Sequence, residues 1–250
     1  MQQLNQYLSQ LNLTGVREAL ERQQQQSNLY CEMSFAERLT LLLEDELTRR
    51  TQRKVERLTR QARFRVKAAI SDINYLARRN LTKQQIVEVT QNDWLEQKQN
   101  LILTGATGCG KTWLSCAIGH HYCSQGQAVY YFRLKELLEK MYLAQADGSY
   151  RKLVTKLSQA PLLILDDWGM EPLNQEQRSD LLELVNLRYE SKSTIISSQL
   201  PIEHWFTMIG ESTFADAILD RMLHSSVKIE LKGESMRKNQ KLLTEGDHLE

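Results

Sequence analysis

Proline is scarce in this 250-residue chain, confined to positions 161, 172 and 201, and there are only 11 glycines. That scarcity argues against long disordered linkers and predicts that most of the chain is helix or strand. The four cysteines, at 31, 109, 116 and 123, form no C-x-x-C pair and have no metal-ligand spacing. This reads as reduced, cytosolic usage, with Cys116 and Cys123 expected as core residues seven apart on one helix. No run approaches eighteen apolar residues, and the opening Met-Gln-Gln-Leu-Asn-Gln carries no basic residue before an apolar core. Secretion, membrane spanning and a membrane partner are therefore not expected, and the cytoplasm is the expected location.

A mass of 29.1 kDa leaves room for one α/β domain of ordinary size and a smaller appendage. The net charge of +1 conceals a partition. Residues 1–46 carry −4, residues 49–83 carry +10 and residues 84–250 carry −5. The positive charge is thus gathered in one segment.

The most informative run is Gly105-Ala106-Thr107-Gly108-Cys109-Gly110-Lys111-Thr112, which matches G-x-x-x-x-G-K-[ST] at every fixed position. It follows the apolar strand Leu101-Ile102-Leu103 and opens a helical segment. Glycines at 105 and 110 let consecutive N–H groups point into one concavity, and the helix N-terminus adds its positive end. Lys111 can then reach β- and γ-phosphates, and the Thr112 hydroxyl is placed to ligate Mg²⁺. The expected ligand is Mg·ATP, bound by residues 105–112.

A second apolar strand, Leu162-Leu163-Ile164-Leu165, ends in Asp166-Asp167. Buried parallel strands deliver functional residues at their carboxyl ends. Asp166 suits the Mg²⁺ shell, directly or through water, and Asp167 could orient the attacking water, since phosphoryl transfer depends on positioning.

Ser34 and Glu37 form a capping-box pattern, and Phe35, Leu39, Leu42, Leu43 and Leu47 then repeat at helical spacing. Thr51, Val55, Leu58, Ala62 and Val66 continue that face, while Arg49, Arg50, Arg53, Arg57, Arg60, Arg63 and Lys67 gather opposite. Arg50, Arg53, Arg57 and Arg60 have the spacing for a nucleic-acid backbone, and Glu56 is the only acid between 49 and 67. DNA or RNA contact without strong base readout is expected, with an acidic protein surface or anionic membrane as alternatives. Residues 1–30, rich in glutamine, give only a hint of a short helix and a flexible connection near 21–33.

Strands are expected at about 101–104, 128–132, 162–166, 194–198 and 227–231, a five-stranded parallel α/β sheet. With Thr194-Ile195-Ile196-Ser197-Ser198-Gln199 after the Asp-Asp strand, and then Ile218-Leu219-Asp220-Arg221-Met222-Leu223, the motif order resembles AAA+ ATPases. Specifically it looks like the IstB-like transposition helper ATPases of insertion sequences, relatives of DnaC-type helicase loaders. The likeness covers nearly the whole chain, including Trp94 to Thr112 and Gly233-Glu234-Ser235-Met236-Arg237. The resemblance implies Gln199 as the strand-end polar sensor, Arg221 as an arginine finger for a neighbouring subunit and Arg237 as a second sensor. Gln199 could equally cap a turn before Pro201, and Arg221 could pair with Asp220 or Glu211. Asp167 and Gln199 depart from the Glu and Asn common in AAA+ proteins.

The expected organisation is an α/β chain: an all-helical N-terminal domain over 1–92 with the basic arm, and an AAA+ P-loop core over 93–250. Only 19 residues follow the last expected strand, so the usual helical lid is expected to be reduced or absent. The function implied is an Mg²⁺-dependent ATPase that forms an AAA+ homo-oligomer on duplex DNA and directs a partner transposase. A helicase loader binding single-stranded DNA, and a P-loop kinase for a small metabolite, are the alternatives.

Overall fold

The computed structural model describes residues 2–75, 79–91, 94–233 and 236. It packs as two compact units, one ending at Arg57 and the other beginning at Leu58.

The first unit is helical. It holds α1 (Gln2–Gln10), α2 (Thr14–Gln25), α3 (Ser27–Tyr30) and most of α4 (Phe35–Ala62). The expected cap of α4 is present, with Ser34 N–H donating to Glu37 Oε2 at 2.7 Å and Glu37 N–H to Ser34 Oγ at 3.3 Å. The expected flexible connection near 21–33 is instead largely helical, since α2 and α3 occupy it.

Which side of α4 is covered differs from the apolar periodicity. Phe35, Leu39, Leu43 and Leu47 are exposed, and Leu42 with Glu46 is buried. The reason is a polar anchor: Glu46 Oε2 accepts from the N–H groups of Gly15 at 2.6 Å and Val16 at 3.3 Å. A buried carboxylate on the N-terminus of α2 satisfies two otherwise orphaned donors and meets the positive helix end. The approach requires glycine, because a Cβ at Gly15 would lie 2.7 Å from Glu46 Cα. Leu8, Val16, Ala19 and Leu42 then close a small apolar cluster. Salt bridges Arg22–Asp45 and Arg49–Glu18 reinforce the same side. Helix α4 also stops at Ala62, where Arg63 turns to φ +57°, so Val66 and Lys67 do not extend its faces.

The second unit is a three-layer α/β fold. After α5 (Lys83–Thr90) come β1 (Asn100–Gly105), α6 (Lys111–Ser124), β2 (Val129–Arg133), α7 (Leu134–Ala146), α8 (Tyr150–Gln159) and β3 (Leu162–Trp168). There follow α9 (Gln175–Arg188), β4 (Ser193–Ser198), α10 (Trp205–Ile209), α11 (Ser212–Leu223) and β5 (Ser226–Leu231). All pairings are parallel, in the order β2-β3-β4-β1-β5. The five expected strands are therefore present.

Alternation along the strands builds two cores. Leu101, Leu103, Ile164 and Ile195 face α6, whereas Ile102, Leu163, Leu165 and Ile196 face α7, α8, α9 and α11. The first core also takes Leu58, Ala62, Ala68, Ile73, Ile86 and Val89. That packing is why Leu58 and Ala62 of α4 belong to the second compact unit. Cys116 and Cys123 are fully buried, as expected, and burial pushes both thiols up to about 11. Beyond β5, most residues on which a lid would depend lie outside the described ones. No described helix is long and apolar enough to cross a membrane.

Helix α6 is seated against Phe64 and β3 through Gly119. A Cβ there would lie 2.4 Å from Phe64 Cε1 and 2.9 Å from Ile164 Cδ1. Gly119→Ala should therefore destabilise the second unit by about 1–3 kcal/mol, the usual cost of overpacking, read as a lower melting temperature. Phe64→Ala in the Gly119→Ala background should recover part of the loss, and a double variant no better than the single one would refute the steric account.

Candidate nucleotide site

The parallel sheet brings four strand ends to one rim, the place where open α/β sheets bind ligands. Strand β1 feeds the loop 105–110, β3 ends in Asp166-Asp167, β4 is followed by Gln199 and β2 ends in Arg133.

The loop needs its glycines. Gly105 has φ +142°, and a Cβ on it would sit 2.1 Å from the Leu231 carbonyl oxygen, so no other residue fits beside β5. Gly110, at φ +99°, is the N-cap of α6. The first amides of that helix, which have no partner within it, begin at Lys111 and line the cavity. Buried Lys111 donates from Nζ to the carbonyls of Gly105 at 2.7 Å and Ala106 at 2.9 Å.

Thr112 Oγ1 donates to Asp166 Oδ2 at 2.8 Å, and the Tyr131 hydroxyl on β2 donates to the same oxygen at 2.7 Å. Asp166 is only 1% exposed, and its Oδ1 is buried without a hydrogen-bond partner among the described residues. Burial, followed by the neighbouring carboxylate, drives the Tyr131 phenol far up from its ordinary pKa. Tyr131 thus stays a neutral donor. A buried carboxylate with one free oxygen beside a threonine hydroxyl and an anion cradle fits an Mg²⁺ ion carried by phosphates. Among the described residues no group of three or more His, Cys, Asp or Glu could hold a metal alone, so phosphate oxygens and water would complete the shell.

Asp167 occupies the left-handed region at φ +56°, at the point where the β3–β4 register slips. Such strain in a non-glycine residue persists where surroundings over-determine it. Here Arg133 Nε lies 3.3 Å and Arg65 Nη1 3.7 Å from Asp167 Oδ2. Gln199 Oε1 accepts from Thr107 Oγ1 at 2.5 Å, linking β4 to the phosphate loop. Lys111, Thr112, Asp167 and Gln199 line one cavity of about 810 Å³.

Other expected site residues fall elsewhere. Arg221 lines a separate cleft of about 270 Å³ with Asn100 and Thr194, at the amino ends of β1 and β4. It donates to the Ala217 carbonyl at 2.8 Å and its guanidinium lies 5.9 Å from the Tyr189 ring centroid. Neither alternative partner holds it, since Glu211 pairs with Arg178 and no ion pair joins Arg221 to Asp220 among the described residues. Arg237 lies outside the described residues. On α4, Arg50 pairs with Glu46 at 2.7 Å, while Arg53, Arg57 and Arg60 are exposed and have no ion pair among the described residues.

Arg65, Arg79 and Arg133, not assigned to the nucleotide site from sequence, complete the cleft, and Tyr131 supports it through Asp166. Arg133 carried a legible signal, because it directly follows the strand expected at 128–132. Arg65 and Arg79 carried none beyond membership of a basic run.

With this geometry in hand, comparison with known proteins decides the family. The family model described as IstB-like ATP binding protein matches residues 6–244. The chain belongs to that family. An insertion-sequence ATP-binding protein of Sinorhizobium fredii is 43% identical over 235 residues, covering 94% of this chain and 95% of its own. Another from Pseudomonas fluorescens is 43% identical over 195 residues, 78% and 84% of the two chains. Among solved structures, the DnaC helicase loader superposes with a TM-score of 0.52 at 25% identity, covering 60% of this chain and 86% of its own. AMPPCP-bound DnaA from Aquifex aeolicus superposes at 0.56 over 75% of this chain and 58% of its own. At 21% identity that likeness concerns the AAA+ fold alone.

Proposed function

We propose that the protein is an Mg²⁺-dependent ATPase that assembles as a homo-oligomer on duplex DNA and directs a partner transposase in insertion-sequence transposition. The observation that carries the ATPase reading is the Thr112–Asp166 hydrogen bond beside the unpartnered Asp166 Oδ1, set in a complete phosphate loop. The setting comes from the relatives, which are named for insertion sequences and ATP binding. Bound Mg·ATP supplies the transferable γ-phosphate. Lys111 would hold the phosphates in place of the Gly105 and Ala106 carbonyls, Thr112 and Asp166 would hold the metal, and Asp167 and Gln199 would orient the attacking water. Asp167 works once Arg133 and Arg65 share their donors with the phosphates.

Arg221 faces away from its own phosphate loop, which suits a residue acting on the next subunit. Exposed Arg53, Arg57 and Arg60 suit a DNA backbone. The likeness to a DnaC loader keeps a helicase-loading role as the second reading, and preference for single-stranded over duplex DNA would favour it.

Lys111→Ala should abolish ATP binding measured at equilibrium, and Asp167→Asn should bind ATP but hydrolyse it about a hundredfold more slowly or worse. Wild-type affinity in Lys111→Ala would place the site elsewhere.

Replacing Arg53, Arg57 and Arg60 together by Ala should weaken DNA binding across all sequences and reduce the salt slope by about 0.9 for each phosphate no longer neutralised. An unchanged slope would move the DNA surface off the arm.

Arg221→Ala should keep nucleotide binding in the monomer yet lose the ATP-dependent oligomer and most DNA-stimulated hydrolysis, up to about 10³-fold for an arginine finger. Mixed with Lys111→Ala subunits it should recover part of the activity, since an intact finger then meets an intact phosphate site. Demonstrated co-assembly without recovery would rule out action in trans.

A further inference from the structure

Resting on the nucleotide reading of the cleft, we propose that Arg79, from outside the phosphate loop, is a direct ligand of the nucleotide's phosphates. Arg79 is 8% exposed and lines the nucleotide cavity. Its Nη2 donates to the Asn74 carbonyl at 2.8 Å, but its Nε is buried with no hydrogen-bond partner among the described residues. Its Nη1 stands against the loop, only 3.1 Å from where a Cβ on Gly110 would be. No carboxylate pairs with it among the described residues, in contrast to Arg65 and Arg133, which both hold Asp167.

Burying a cation is costly unless a counter-charge and hydrogen-bond acceptors meet it. Arg79 has one carbonyl. The group that would supply the rest is an anion seated at Gly110 and the first turn of α6, where the helix amides also point. A guanidinium fork suits phosphate oxygens, which accept two parallel donors. The backbone around Arg79 is fixed for the purpose. Its carbonyl accepts from Lys232 N–H at 3.0 Å, and the neighbouring Asn80 Nδ2 donates to the Glu230 carbonyl at 3.0 Å, so this segment is stitched to the end of β5. The same strand end bounds the loop at Gly105. Arg79 is thereby held against the cradle before any ligand arrives.

The experiment compares wild type, Arg79→Met, Arg79→Lys and Lys111→Ala, with ADP affinity and the melting temperature of the nucleotide-free protein as readouts. Arg79→Met keeps the apolar stem and removes the charge. It should weaken ADP binding about ten- to hundredfold, the range for a hydrogen bond to a charged group, while the nucleotide-free protein melts at or above the wild-type temperature. That opposition separates a ligand from a structural arginine, whose loss would lower melting and leave affinity alone. If Arg79→Met melts below wild type, Arg79→Lys decides, because it retains the cation: a loss of about fivefold or more supports recognition by the fork, and wild-type affinity overturns it. ADP affinity within about twofold of wild type in folded Arg79→Met also overturns the proposal. Absence of ADP binding by wild type, or full binding by Lys111→Ala, would instead condemn the nucleotide reading itself.

Discussion

A single buried carboxylate organises the functional end of this fold. Asp166 lies near the carboxyl end of the interior strand β3, where a buried carboxylate needs hydrogen-bond donors. Two arrive from different elements, Thr112 from the first turn of α6 and Tyr131 from β2. Each donor is fixed by its own packing, α6 by the core that includes Leu114 and Ile118, and β2 by its parallel register with β3. The geometry of the phosphate loop relative to β3 is therefore set by hydrogen bonds that end on one oxygen. The other oxygen has no hydrogen-bond partner among the described residues, so the carboxylate that ties three elements together keeps one acceptor unused.

Around that carboxylate the rim carries an excess of cations, and the fold treats them differently. Arg65 pairs with Asp167, Arg133 with Asp167 and Glu136, Lys111 with loop carbonyls, and Arg79 with a single carbonyl among the described residues. A polyphosphate entering such a rim replaces weak or internal partners with charge-assisted ones. It also competes with Asp167 for the arginines, so ligand charge and the freedom of Asp167 are linked through shared donors.

Much of the sheet and the phosphate site could be read from the sequence, because both depend on local order. Unbroken apolar runs at 101–103 and 162–165 define strands buried on both faces, and glycine spacing from 105 to 110 encodes the loop in consecutive residues. What could not be read depends on encounters between distant positions. Glu46 lies 31 residues from Gly15, and its bond to the α2 amides overrides the stripe of Phe35, Leu39, Leu43 and Leu47 in choosing the covered face of α4. Periodicity ranks faces by apolar area and cannot see a buried carboxylate meeting a helix end. Arg65 and Arg79 were likewise hidden in a run of like charge, since composition cannot tell which arginine turns inward.

The division of the basic segment follows from the same physics. Within the first unit, the acids on α2 and α4 neutralise the arginines nearest to them, as Glu46 does Arg50 and Glu18 does Arg49. Further along, Arg53, Arg57 and Arg60 lie in a stretch where Glu56 is the only acid, and they stay exposed. After α4 ends, Phe64 is fixed by the notch at Gly119, and the next residue, Arg65, is thereby delivered to Asp167. One cationic run thus serves three ends in sequence order: internal ion pairs, a solvent-facing stripe and the rim of the phosphate cleft. The switch between them is made by where acids and a single glycine stand, and not by any change in the character of the run itself.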